Sequence, residues 1–377
     1  MSVADLGHVP ARHLGDLAQS VAHGVGVHEQ RGRGRLQRCA LVEEGRHREV
    51  EGVAGAPHRL VGGVDQPVAG DEVADEHALG QEVVGIARGA QLDAIRAQGL
   101  RLRTPEVDDT VQMDCVAHPS ELTFRPDDAI LLCMKTQHTA EALDALRDAG
   151  VTDQPIFCFQ NGVENERLAL RRFPNVHSVT VMLPGTFLEP GKVVAYSRPK
   201  FGILDLGRYP AGLDDADDTL AAALTHANFA AFARPDALRS KYGKLLVNLG
   251  NILQAAVGRS PDLPALTKPL QAEAEQVFRA AGIDWETNDS DPRRDEFMQI
   301  TDVPGETRQG GSTAQSLLRG GSVETDYLNG EISLLGRLHG VPTPLNDAMT
   351  RLGHRLQSEG LKPGDLTLDD LRDLLTS

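Results

Sequence analysis

The chain predicts an α/β protein in two parts: a doubly wound, mostly parallel-sheet unit of the dinucleotide-binding kind that lacks its opening strand, then a unit of helices alone. Three observations point there. From residue 81 to 235 short apolar runs alternate with helical patterns, the rhythm of strands joined by crossovers. Past Pro235 the strand patterns stop and long helical periodicities take over. The first 80 residues carry neither pattern.

Residues 1–80 contain no Phe, Tyr, Trp, Ile, Lys, Asn or Thr, yet hold seven of the 13 histidines and eight arginines. Their valines are scattered among Gly, His and Arg without a sustained period, so the segment reads as low in order and unable to build a packed sheet. The composition suits a wrong-frame or wrong-strand translation of GC-rich DNA, which suppresses residues with AT-rich codons; the alternative is a disordered extension. "GVGVHE" from Gly24 and "GRGRLQ" from Gly32 approach a phosphate-binding loop but lack the third glycine and a preceding apolar strand. His23 and His28 read as a chance pair.

Residues 83–87 form the next expected strand, followed by a helix with Leu92 and Ile95 on one side. "LRLRTPE" and "DTVQMDCVAH" look like a small antiparallel insertion. "DAILLCMK" and "PIFCFQ" read as strands buried on both faces, each leading into a helix, the first closed by Gly150. "VHSVTVMLPG", "KVVAYS" and "FGILDLG" continue in extended form, and "DDADD" before Thr219 reads as a solvated helix start. A helix to Phe229 and the strand "AAFARP" close the unit. Helices are expected at 237–258, 266–282, 307–320, 324–340 and 344–360, with a short amphipathic one in the tail. The predicted divisions are 1–80, 81–235 and 236–377.

With 377 residues the chain can bury two cores of ordinary size. A formal net charge of -16 argues against nucleic acid or an anionic membrane as main partner, since both need a basic face. No apolar run reaches 18 residues and no secretory signal is visible, so the expected compartment is the cytoplasm. Cys39, Cys115, Cys133 and Cys158 form no C-x-x-C pair, which argues against zinc and disulfides; no metal is expected, and Cys133 and Cys158 read as small core residues inside strands.

The helix "KYGKLLVNLGNILQAAVG" is the most informative. At about 100° per residue, Lys244, Asn248 and Asn251 share an arc of roughly 60°, and apolar side chains cover most of the rest. A helix apolar over most of its girth is buried, so this stripe faces a wet cavity, where a lysine needs partners or a ligand anion. The plainer reading is a surface stripe. "KTQHT" and "QNGVEN" follow the carboxyl ends of parallel strands, where open sheets bind ligands, although Asn161-Gly162 is also an ordinary tight turn.

These residues, with "VVGIARG", "LLCMKTQ", "QNGVENE", "KLLVN", the block "GGSTAQSLLRGGSVETDYLNGEI" and "HGVPTPLNDAM", resemble the ketopantoate reductase family over residues 81–360. Those are the NADPH-dependent 2-dehydropantoate 2-reductases of pantothenate and coenzyme A biosynthesis. The resemblance implies a Rossmann-type NADP-binding domain, incomplete here without its first strand and glycine loop, followed by an all-helical C-terminal domain, the 6-phosphogluconate dehydrogenase-like arrangement. It implies that Lys244 is the catalytic lysine at the substrate ketone and that Glu324 binds the substrate hydroxyl and orients the lysine. Asn248 and Ser312 would hydrogen-bond the substrate. A second asparagine expected further along the helix falls at Ile252, with Asn251 one position early as the substrate-binding candidate. Lys135, Asn161 and Gly162 would line the cofactor cleft, and Arg88 would meet the adenosine 2'-phosphate of NADPH. By themselves, Ser312 could merely cap a helix starting at Thr313, and Glu324 could sit in a first helical turn for the dipole. The implied reaction reduces ketopantoate to (R)-pantoate. The rivals are a reductase of another 2-oxo acid and a non-catalytic remnant without cofactor binding. Oligomeric state is not legible in the residues, although such helical domains support homodimers.

Overall fold

The computed structural model describes residues 38–42, 82–287 and 291–376. In chain order the first part comprises β1 (Arg38–Val42), β2 (Val83–Ile86), α1 (Gly89–Gln98), β3 (Leu100–Arg103), β4 (Asp108–Val111), β5 (Asp114–Val116), β6 (Asp128–Leu132), α2 (Thr139–Asp148), β7 (Ile156–Cys158), α3 (Glu164–Leu170) and β8 (Val176–Met182). It continues through β9 (Gly185–Thr186), β10 (Lys192–Ala195), β11 (Ser197–Pro199), β12 (Ile203–Arg208), α4 (Asp215–His226) and β13 (Ala230–Ala233). The second part holds α5 (Ala237–Asn248), α6 (Asn251–Val257), α7 (Leu263–Ala281), α8 (Arg293–Phe297), β14 (Met298–Ile300), α9 (Ser312–Leu318), α10 (Asn329–His339), α11 (Pro344–Ser358) and α12 (Leu368–Thr376).

The main sheet runs β13-β12-β8-β7-β6-β1-β2-β5 and is parallel except where β12 meets β8. The apolar runs of β6 and β7 are buried throughout, as strands covered on both faces must be. One core cluster gathers around Phe157, Leu204 and Phe229, another around Leu132, Leu143 and Ile156. The helical part packs around Leu249, Leu253, Phe278 and Met349. No helix among the described residues is long and apolar enough to cross a membrane.

Several expectations need correcting. The first strand is present: β1 lies between β2 and β6, with Ala40 in register with both Val84 and Ile130. A central strand draws its hydrogen bonds from two neighbours and is covered on both faces, so "RCALV" needs neither length nor alternation to occupy the position. The glycine loop, the remaining composition reading of the first 80 residues, and His23 and His28 fall outside the described residues. β3 and β4 pair antiparallel as expected, but β5 leaves them and joins the main sheet beside β2. The single helix expected over 237–258 is broken at Leu249-Gly250, where a Cβ on Gly250 would stand 2.7 Å from Thr267 Oγ1; the close crossing of α7 demands the glycine. The second part is not wholly helical, because β14 pairs with β11. "DDADD" is only partly solvated. Asp214 caps α4 in a reciprocal box with Asp217, and Asp217 is fully buried against His177 Nδ1 at 2.8 Å. Cys158 lies buried in β7, while Cys133 sits half-buried just past β6.

One buried carboxylate ties the two parts. Asp205 on β12 has no exposed surface and accepts a two-pronged bond from Arg293, at 2.7 and 3.0 Å, plus bonds from Ser240 (2.7 Å) and Arg234 (3.3 Å). Replacing Arg293 by Met leaves that charge only partly compensated, which should cost about 2–4 kcal/mol. Urea unfolding monitored by circular dichroism checks this; an unchanged midpoint would contradict it.

Candidate active site

β6 and β7 are parallel neighbours, so the loops after them emerge at one edge of the sheet. That edge is where the second part docks. The loop after β6 is stitched to the segment before α10. Lys135 Nζ donates to the Ser322 carbonyl, Gln137 Nε2 to Ser322 Oγ at 2.6 Å, and the Thr136 amide and hydroxyl donate to Glu324 Oε1 at 3.0 and 3.2 Å. Glu324 precedes a single 3-10 turn (Thr325–Tyr327), not the first turn of α10, and its side chain caps neither. The dipole reading therefore falls, because Glu324 Oε1 is turned across the seam to Thr136.

The loop after β7 turns at Gly162, whose φ of 77° lies in the left-handed region and whose Cβ, if present, would stand 2.9 Å from the Tyr327 carbonyl. Its neighbour Asn161 accepts from Asn248 Nδ2 at 3.0 Å, and Asn251 Nδ2 lies 3.5 Å from Asn248 Oδ1. Asn165, fully buried, joins the two loops by donating to Asn161 O (3.1 Å) and Thr136 Oγ1 (3.2 Å) while accepting from Thr139 Oγ1 at 2.7 Å. A continuous polar chain thus runs from Glu324 through Thr136, Asn165 and Asn161 to Asn248 and Asn251. Lys244 is half-buried on α5, one turn before Asn248.

Ser312 is the first residue of α9 and exposed, with Gly311 at the cap position making no side-chain bond, so the capping reading of Ser312 falls as well. The Gly311 amide donates to Gln254 Oε1 at 2.7 Å, which brings the start of α9 against the helix that carries Asn251. Arg88 stands just after β2 and pairs with Glu141 at 3.3 Å, with a third of its side chain exposed. β1 lies between Arg88's strand and that of Lys135, so the two cations flank the carboxyl end of the central strand.

The structure therefore gathers Lys135, Asn161, Gly162, Asn248, Asn251 and Glu324 along one seam, with Lys244 and Ser312 on the elements beside it and Arg88 farther along the sheet edge. Sequence reasoning missed Asn165 and Lys241. Lys241 is 2% exposed and its ammonium donates to the Cys158 carbonyl at 2.7 Å and to the fully buried Glu166 carboxylate. On a helical wheel it falls only about 20° from Asn248, a signal that was there to use.

A second polar cluster, His177 with Asp214 and Asp217, holds ligand-type atoms close together. Both ring nitrogens are already bonded, to Asp217 and Asn175, the ring stacks on Phe157, and Asp214 accepts from Arg208 and the Ala216 amide. It is a packing tie between β8 and α4.

The family model described as "Ketopantoate reductase PanE/ApbA" matches residues 76–209, and "Ketopantoate reductase PanE/ApbA C terminal" matches 238–357. The chain belongs to this family of oxidoreductases. More particularly, it is 25% identical over 315 residues to the 2-dehydropantoate 2-reductase of Pyrococcus horikoshii, covering 81% of this chain and 96% of the relative. It resembles the PanE/ApbA family ketopantoate reductase from Ralstonia eutropha JMP134 with a TM-score of 0.60 and 27% identity, over 74% of this chain and 91% of that one. The ternary structure of D-mandelate dehydrogenase with NADH and anilino(oxo)acetate shares the fold at a TM-score of 0.63 and 23% identity, over 75% and 93% of the two chains.

The Asn161-Gly162 turn can be tested directly. Gly162→Ala puts a methyl against the Tyr327 carbonyl in a strained backbone region, so stability to urea should fall by about 1–3 kcal/mol. Parent-like stability would show that the turn is not confined by that contact.

Proposed function

We propose that the protein reduces a small 2-oxo acid with NADPH, with ketopantoate as substrate and (R)-pantoate as product. The observation that carries the reading is the polar chain from Glu324 to Asn251, which joins the sheet edge to the helix bearing Lys244 and contains Glu324, Asn161, Asn248 and Asn251 of the residues that the family resemblance marks.

The residues suit the cofactor. Arg88 and Lys135 place cations on either side of the central strand's end, as an anionic dinucleotide requires, and Gly162 keeps the cleft loop free of a side chain where backbone approaches backbone. Arg88, a third exposed at the end of β2, would meet the 2'-phosphate, and Lys135, Asn161 and Gly162 would line the cofactor cleft. When bound, the reduced nicotinamide supplies a hydride to the oxo carbon.

Lys244 holds its ammonium at the oxo oxygen, stabilises the negative charge that develops there and gives up the proton that completes the alcohol. One hydride and one proton are added and the carboxylate is unchanged. Asn248 and Ser312 hydrogen-bond the substrate. Glu324 accepts from the substrate's hydroxyl and orients the lysine. Half-burial of Lys244 strengthens its field by excluding water from one side.

A reductase of another 2-oxo acid is the second reading, favoured by one departure. Ile252 stands where a further substrate asparagine is expected, and it is buried in the helical core, while Asn251 is engaged with Asn248. The amide expected at Ile252 is therefore missing, and Asn251 is the one that remains on that turn.

Steady-state oxidation of NADPH with ketopantoate and other branched or aromatic 2-oxo acids tests both readings. Ketopantoate should give the highest kcat/KM; a higher value with another acid selects the second reading. Lys244→Ala should lower kcat about 10²–10⁴-fold while leaving dinucleotide affinity close to parent, and a variant with parent-like kcat removes the lysine from the mechanism. Arg88→Ala should raise the KM for NADPH about tenfold or more, through loss of a charge-assisted bond, and leave that for NADH unchanged; equal changes would contradict the 2'-phosphate contact. No binding of NADPH at millimolar concentration would leave only a non-catalytic remnant.

A further inference from the structure

We propose that Lys241 is a positioning residue: its buried bonds to Glu166 and Cys158 fix the rotation and height of α5 against the cofactor-side turn and thereby set where Lys244 stands. The inference rests on the catalytic reading of Lys244 given above.

The turn between β7 and α3 is held at both ends by one face of α5. At its start the Cys158 carbonyl accepts from Lys241, and Glu166, past its end, takes the same ammonium. In its middle, Asn161 accepts from Asn248. Lys241 and Asn248 are seven residues apart, so they lie about 20° apart around the helix and about 10 Å apart along it. α5 is also seated by its apolar side and by Ser240, which donates to Asp205 on β12 at 2.7 Å. The two contacts on the turn, separated along the axis, add a set rotation and height against that turn. Lys244 lies between them in sequence and within about 60° of both around the wheel.

The grip is unusual in composition. Lys241 and Glu166 are 2% and 0% exposed, and Val163 between the anchors is itself buried in the helical core. Apolar side chains of similar size would pack such a place with equal or better stability, whereas an ion pair additionally demands a set distance and direction. Glu166 Oε2 has no hydrogen-bond partner, so the carboxylate's orientation depends on its other oxygen, which Lys241 engages. Arg167, next in the chain, reaches Glu331 on α10, so α3 braces two helices of the second part at once.

The test is a double variant, Lys241→Met with Glu166→Met, alongside each single variant and Lys244→Ala. Each single variant strands a buried charge and should lower Tm. The double variant strands none, so its Tm should return to within a few degrees of parent. Positioning predicts that its kcat per folded molecule nonetheless stays at least tenfold below parent, with the KM for NADPH changed less than threefold. A double variant whose kcat follows only its folded fraction overturns the proposal, because the pair then contributes packing alone. Lys244→Ala separates the two ideas: if it retains activity the catalytic reading fails, whereas if it is inactive and the double variant is fully active, only the positioning role fails.

Discussion

The site depends on one constraint: a helix carrying polar side chains has been docked on the open edge of an apolar sheet, out of water. Every donor and acceptor brought there must find a partner or impose a penalty of about 1–3 kcal/mol. Asn248, Asn161, Asn165, Thr136 and Glu324 meet that demand in one another, and Lys241 meets it in Glu166 and the Cys158 carbonyl, across the boundary between the two parts. The same bonds that satisfy these groups also specify how the parts are placed. An apolar seam of equal area would adhere without a defined register.

The molecule contains other buried charge networks, and their contrast with the seam is informative. Asp205 is met by two arginines and a serine, and His177 has both nitrogens bonded beneath Phe157. These are closed, with their groups directed at each other, the first across the boundary between the parts and the second between β8 and α4. Burial drives the Glu331 carboxyl upward, opposed by Arg167, and this contact again fastens one element to another. In the seam, by comparison, the partners come from loops at strand ends, and Lys244 and Ser312 stand beside the chain on the elements that border it. Asn248 and Glu324 thus serve both the structural tie and the proposed chemistry, whereas Lys244 stands beside the chain on the same helix as Asn248.

Much of this was legible in the residues. β6 and β7 announced themselves as continuous apolar runs ending in polar loops, and the stripe of Lys244, Asn248 and Asn251 marked the α5–α6 segment as one whose polar face is partly withdrawn from water. Three things were not. β1 is five residues in an unpatterned text, and its stability comes from neighbours distant in sequence, which no local period reports. Gly250, at the break, is required by the close approach of Thr267 on a crossing helix, which the local sequence does not report. Lys241 lay at the edge of the stripe, but its partner Glu166 belongs to a helix of the other part, and an "NERL" sequence reads as a solvated surface until the packing is known. Ser312 and Glu324 were open to capping and dipole explanations until the helix starts were seen, since a shift of one or a few residues in a helix boundary decides between them.

The central claim is that the Lys244 ammonium meets the oxo oxygen of a 2-oxo acid held between the two parts. A crystal structure with NADPH and an unreactive 2-oxo acid analogue tests it most directly. The account predicts Lys244 Nζ within about 3.2 Å of the oxo oxygen, Glu324 on the same side of the ligand, and the nicotinamide against the opposite face. An analogue bound in the cleft with Lys244 turned to solvent, or with another side chain at the oxo oxygen, would contradict it.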